Sequence, residues 1–187
     1  MYSMIFRRFL ILVSFFACAS PAWAVPEPEI AGQLEAMAAE DQALRARWTR
    51  DAPEIRAEVH RLDAAHEAAL LDIIRRKGWP DIAMVGKPAA QAAWLVAQHG
   101  TPEFLKLCLP YMKAAADRGQ MPQWAFALSV DRDLMYDGKP QRYGSQFQTG
   151  KDGKPHMYPV EDEAHLDERR AQVGLEPIAE YQALMSK

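Results

Sequence analysis

Prolines at helix starts and glycines at helix ends cut this chain into helix-length pieces, and that punctuation constrains its fold more than any other feature. Pro53 opens a segment whose apolar face is Ile55, Val59, Leu62, Ala69, Leu70 and Ile73. Arg75, Arg76 and Lys77 suit its negative C-terminal end, and Gly78 stops it before Trp79-Pro80. After a loop from Asp81 to Lys87, a short alanine-rich helix from Pro88 to His99 ends at Gly100. Thr101-Pro102-Glu103 then supplies a cap, a first-turn proline and an early acid. Phe104, Cys108, Tyr111, Met112 and Ala115 stripe the helix that follows, and Pro110 is expected to kink it. Pro122 starts another helix, running to Asp137-Gly138.

Ahead of these lies Glu29 to Arg50, with a weaker stripe of Ile30, Leu34, Met37, Leu44 and Trp48, expected to be peripheral. After them, Lys139 to Val160 changes character. Arg142, Gly144, Gln146 and Gln148 alternate with Tyr143, Ser145 and Phe147, the period of a strand. A turn-forming run from Thr149 to Lys154 predicts a hairpin, with His156 to Val160 returning. A helix from about Glu161 to Val173, a Gly174-Leu175 stop and a Pro177-started helix close the chain. The expected fold is mainly α, a single helical domain with one small late β-hairpin.

Residues 1–24 read as a secretory signal peptide: Arg7-Arg8, an apolar run from Phe9 to Ala19, and the small-x-small Ala22-Trp23-Ala24. A core that short does not span a bilayer, which takes ~20 apolar residues. Lipidation at Cys18 and twin-arginine export are the competing readings of the leader. Cleavage leaves one domain, 25–187, in the periplasm or outside the cell, with no stable transmembrane segment. It leaves 20 Lys+Arg, from 22 less Arg7 and Arg8, against 25 Asp+Glu. An acidic chain without a basic block is a poor binder of nucleic acid. Cys108 alone survives, on an apolar stripe, so a buried inert thiol is expected rather than a disulfide or a nucleophile.

Polar residues on apolar faces supply the candidates for chemistry. His66 falls on the line of Ile55, Val59, Leu62 and Ile73. Asp131 shares a face with Trp124, Leu128 and Met135 at spacings of four, three and four, where an unpaired carboxylate costs several kcal/mol. His99 ends a helix, where the dipole favours imidazolium. Gln141, Arg142, Tyr143, Ser145 and Gln146 gather donors and acceptors on the hairpin. Arg170 lies beside Leu166 and Val173, placed to pair with Asp131 or an anion, whereas Arg169 faces solvent. Trp79, Trp94 and Trp124 are packing residues or a ligand platform. No phosphate loop, His-Glu-x-x-His, Gly-x-Ser-x-Gly or Cys-x-x-Cys occurs, so neither a metal nor another cofactor is implied.

Gly78-Trp79-Pro80, Val85-Gly86, Ala93-Trp94, Gln98-His99, Asp131-Arg132, Gln141-x-Tyr143-Gly144-Ser145-Gln146, Pro159-x-Glu161-Asp162 and Arg169-Arg170-x-x-x-Gly174-Leu175 follow in that order. Together, from about Asp63 to Tyr181, they resemble a bacterial family of unknown function whose hallmark is Gln-x-Tyr-Gly-Thr-Gln. Ser145 replaces the usual threonine and keeps its hydroxyl. The resemblance implies no activity, but it implies that His99, Asp131, Arg132, Gln141, Tyr143 and Gln146 serve one shared feature. The functional expectation is a metal-independent acid–base enzyme, a hydrolase or lyase acting on an envelope or extracellular small molecule. In it His99 moves a proton, Asp131 orients it, and Arg132 or Arg170 holds an anionic group. Gln141, Tyr143, Gln146 and Trp79 position the ligand. The alternative is a non-catalytic envelope binding protein that uses the polar hairpin as its contact surface.

Overall fold

The computed structural model describes residues 25–48 and 52–185, so the leader expected over 1–24 lies outside the described residues. The elements follow in the order α1 (Pro28–Arg45), α2 (Pro53–Lys77), α3 (Ile82–His99), α4 (Pro102–Asp117), α5 (Gln123–Tyr136), β1 (Phe147–Thr149), β2 (Pro155–Met157), a 3₁₀ turn (Glu163–His165), α6 (Leu166–Gln172) and α7 (Ile178–Met185). The expected fold class is what the chain adopts: helices, with one two-stranded antiparallel sheet late in sequence. None of the described helices is long and apolar enough to cross a membrane.

Most helix boundaries follow the punctuation. Pro53 and Pro102 sit in first turns, and Gly78 takes a left-handed φ of 86° just past α2. The Thr101 hydroxyl accepts the Phe104 N–H at 3.2 Å, as its capping position requires. Two expectations change. The Asp81–Lys87 loop is largely helical, because the Asp81 carboxylate caps it by accepting the Met84 N–H at 3.0 Å. Only Gly86, at φ 79° and ψ 165°, breaks that helix before it resumes. α4 runs on through Pro110, which lies on its exposed side.

The second change concerns α1, which is not peripheral. Ile30, Leu34 and Met37 enter the main core and pack chiefly on α3. The reason is the small-residue face of α3: Ala89, Ala92, Ala93 and Ala97 are all buried, so the two axes approach closely. Leu70, Ile73, Leu105, Cys108 and Met112 complete the core from α2 and α4. A second, smaller cluster of Leu44, Ile55 and Val59 staples the far ends of α1 and α2.

Cys108 is fully buried, and desolvation pushes its thiol up to about 12, with the nearby Glu67 charge adding to the effect. A thiolate is therefore scarce in the folded protein at neutral pH. In a chain carrying Cys18→Ser, Cys108 is expected to resist a disulfide reagent at about pH 8 and to react in step with unfolding in urea. Rapid labelling without unfolding contradicts this placement.

Candidate functional site

The polar segment predicted as a strand is mostly not one. Between α5 and β1, residues 141–146 form an irregular loop, three of whose backbone donors turn toward a single side chain. The Asp131 carboxylate, fully buried on α5, accepts the N–H groups of Arg142 at 2.7 Å, Tyr143 at 3.0 Å and Ser145 at 2.9 Å. Those donors would otherwise have joined a strand ladder, which is why the hairpin shrinks to Phe147–Thr149 paired with Pro155–Met157. Burial holds the Asp131 pKa above the ordinary carboxylate value, and the three N–H groups offset that rise only in part.

The amides of the loop are likewise turned inward. Gln141 donates its Nε2–H groups to the carbonyls of Gln146 and Tyr158, at 3.2 and 2.9 Å, and its Oε1 accepts the Gln146 N–H at 2.8 Å. Gln146 donates to the Ser145 hydroxyl. Gly144, at φ 67°, makes the tight passage possible: a Cβ there would lie 3.0 Å from Met157 Sδ and 3.1 Å from Ile178 Cδ1.

Arg170 does not bond to Asp131 as the sequence suggested, although it lies within reach of that charge. Its guanidinium donates to the carbonyls of Glu176 and Tyr143 and lies over the Tyr181 ring, 5.0 Å from the centroid. Arg169, expected in solvent, also holds the loop, donating to the carbonyls of Arg142, Glu161 and Asp162.

His99 finds a different acid from the one expected. Its Nδ1 lies 2.9 Å from Asp41 Oδ1 on α1, so the pairing of His99 with Asp131 is corrected: Asp131 is occupied by the loop, and Asp41 orients the ring. A carboxylate only accepts, so the shared hydrogen sits on Nδ1 and the neutral ring keeps its basic nitrogen at Nε2. Arg45, one turn after Asp41, donates Nε–H to Asp41 at 2.6 Å and Nη2–H to Asp63 on α2. Three helices thus meet in an Asp41–His99–Arg45–Asp63 cluster, with His99 and Asp41 almost sealed and Arg45 and Asp63 reaching solvent.

Desolvation holds the His99 pKa below its ordinary 6.5 against the pull of Asp41, and the charges of Arg45 and Arg132 add to the depression. Asp41 is held below the usual carboxylate range because its histidine and arginine contacts outweigh its own burial. The ligand atoms of Asp41, Asp63 and His99 lie within 4.8 Å of one another, a spacing a metal ion can bridge. The Arg45 guanidinium already bonds both carboxylates from between them, which leaves that donor set ill suited to a second cation.

Arg132, next to Asp131 on α5, donates to the Gln98 carbonyl at 3.3 Å and lies close to Tyr136 and Tyr181. It therefore stands between the loop and the His99 cluster. Tyr181 in turn bonds the Ser145 carbonyl at 3.3 Å. His66 is buried as its stripe implied and meets Glu40 at 3.3 Å, one turn along the same seam. Trp79 lies elsewhere, in a cleft with Trp94 and Trp124.

Asp41, Arg45 and Asp63 were not singled out from the sequence, yet a signal existed for the first. Ile30, Leu34, Met37, Asp41 and Leu44 step by four, three, four and three, which puts Asp41 inside the α1 stripe by the rule that located Asp131.

A helical bundle that pins a polar loop through one buried aspartate and gathers a histidine–carboxylate pair at a three-helix seam is the class of protein defined here. The chain belongs to a family of unknown function (DUF6624), whose model matches residues 28–187. No curated protein and no solved structure matches it.

Two outcomes follow from the geometry. Asp131→Ala orphans three loop donors, at about 1–3 kcal/mol for each that stays buried. Its urea midpoint is expected to fall steeply, with amide-exchange protection lost first at Arg142, Tyr143 and Ser145. For His99, the folded ring binds a proton less readily than the unfolded ring, so its contribution is complete above about pH 6.5 and is lost as pH falls through that value. The drop in urea midpoint from about pH 7.5 to about pH 5.5 is expected to be smaller in His99→Gln than in the parent. Equal drops contradict the depressed pKa.

Proposed function

We propose that this chain is an exported acid–base enzyme, of hydrolase or lyase type, acting on an anionic small molecule of the envelope or extracellular space. His99 Nε2 accepts a proton from the substrate or from water and returns it to the leaving group. Asp41 is a positioning residue: it fixes the Nδ1–H tautomer and stabilises the imidazolium that forms during the reaction. Arg132, whose charge bears on the ring, supplies the positive charge that selects an anion and steadies developing negative charge.

The observation that carries this reading is the 2.9 Å contact between a nearly buried imidazole and a carboxylate that is itself held by Arg45. A depressed histidine pKa keeps the ring neutral and basic at neutral pH, the state a general base needs. The inward-turned amides of Gln141 and Gln146 support this reading over capture of a partner by the loop, since the groups suited to such contact bond internally. No step here calls on a metal, because the guanidinium of Arg45 provides the charge at the two acids.

The purified parent is to be screened against anionic esters, acylated sugars and peptides, followed by His99→Gln and Asp41→Asn. His99→Gln is expected to lower kcat by about 100-fold or more at unchanged fold by circular dichroism, and Asp41→Asn to lower kcat and shift its pH profile. A parent inert toward the whole panel, or a His99→Gln variant with parental kcat on every substrate, overturns the reading.

A further inference from the structure

A cleft of about 210 Å³ opens between the Trp79 turn, α3 and the start of α5, and it includes neither His99 nor Asp131. His99 comes five residues after Trp94, and at ~100° per residue it points about 140° away round α3. The cleft is thus a separate place from the histidine cluster. Three of the chain's five tryptophans line it: Trp79, Trp94 and Trp124.

Two of these indoles form a rigid corner. Trp94 and Trp124 meet edge to face, with centroids 5.4 Å apart and planes at 82°. Trp94 is locked by its Nε1–H, which donates to the Ala125 carbonyl at 3.0 Å and the Ser129 hydroxyl at 3.1 Å. Ser129 is fully buried and is itself bonded by the Gln98 amide and to the Ala125 carbonyl. Trp79 is buried too. Walls fixed in this way lose little freedom when a flat molecule lies against them.

The polar groups of the cleft are few and gathered on one helical face. Lys87 and Gln91 are one turn apart on α3, and Gln91 precedes Trp94 by three residues, so cation, amide and indole share a side. Gln120 adds a second amide. Lys87 is exposed and enters no ion pair among the described residues, although most basic side chains nearby in sequence, such as Arg76 and Lys77, are paired. Gly86 breaks the helix just before Lys87, which adds the positive end of the resumed helix to the same rim.

We propose that this cleft binds a planar aromatic carboxylate, its ring against the Trp94–Trp124 corner and its carboxylate on Lys87, Gln91 and Gln120. A mostly apolar wall with the Lys87 cation and two amides at its rim suits that class. A sugar ring needs polar groups along its whole edge, which this lining lacks.

The test is a calorimetric titration of the full chain with 1-naphthoate and with its neutral counterpart, 1-naphthalenemethanol. The acid is expected to bind saturably at one site, about tenfold more tightly than the alcohol. Lys87→Gln, an exposed change, is expected to remove most of that difference while leaving the alcohol unaffected. Ala90→Phe, which fills the cleft, is expected to weaken both ligands by about tenfold or more, whereas His99→Gln leaves both unchanged. Absence of saturable binding, equal affinity for acid and alcohol, or parental binding of the acid in Lys87→Gln each overturns the proposal. The result is independent of whether His99 does chemistry.

Discussion

One buried carboxylate organises the C-terminal third of this molecule. Asp131 is sealed from bulk solvent, so it must be met by donors, and the chain meets it with the N–H groups of Arg142, Tyr143 and Ser145 from one loop. That requirement bends 141–146 away from a strand, brings Gly144 into a left-handed turn and sets the carbonyls of Arg142 and Tyr143 where Arg169 and Arg170 collect them. α6 is only seven residues long and owes its position to these arginines more than to its own apolar surface, of which Leu166 is the buried part. Tyr181 closes the arrangement from α7, under Arg170 and against Ser145.

A second polar assembly, at the seam of α1, α2 and α3, is built on a different principle. There the charges are paired with one another rather than with backbone: Asp41 with His99 and Arg45, and Arg45 with Asp63. Such pairs are weak contributors to stability against apolar alternatives of the same shape, and their presence in an alanine-rich, easily packed seam is the reason to look for chemistry there. Arg132 stands between the two assemblies, with its charge bearing on His99 on one side and Tyr181 close to it on the other.

Helix starts and stops were legible because proline and glycine act locally, through a fixed φ, a missing donor or a permitted left-handed turn. The burial of His66 and Asp131 was legible because period alone decides which face a helical residue takes. What each polar residue bonds was not. Asp131 chose backbone donors eleven to fourteen residues onward, and His99 chose an acid 58 residues earlier, choices set by how helices cross rather than by spacing within one. The same limit hid the strand error: 142–146 has strand periodicity, but its donors already had an acceptor on another element. The importance of α1 was missed because its stripe is weak, and the compensating smoothness of α3 becomes visible only when the two are placed side by side.

Gln141 carries a consequence of its own. Its carboxamide reaches across to one residue's N–H and carbonyl and to a second residue's carbonyl, adding a side-chain rung beside the backbone bond by which the Tyr158 N–H donates to the Gln146 carbonyl. A rung made by a side chain has a fixed length and a fixed polarity at each end. Glutamate matches the length but offers no hydrogen to the two oxygens, and asparagine offers the hydrogens one methylene too short. The geometry of the surrounding chain therefore admits glutamine at that point and neither of these two relatives.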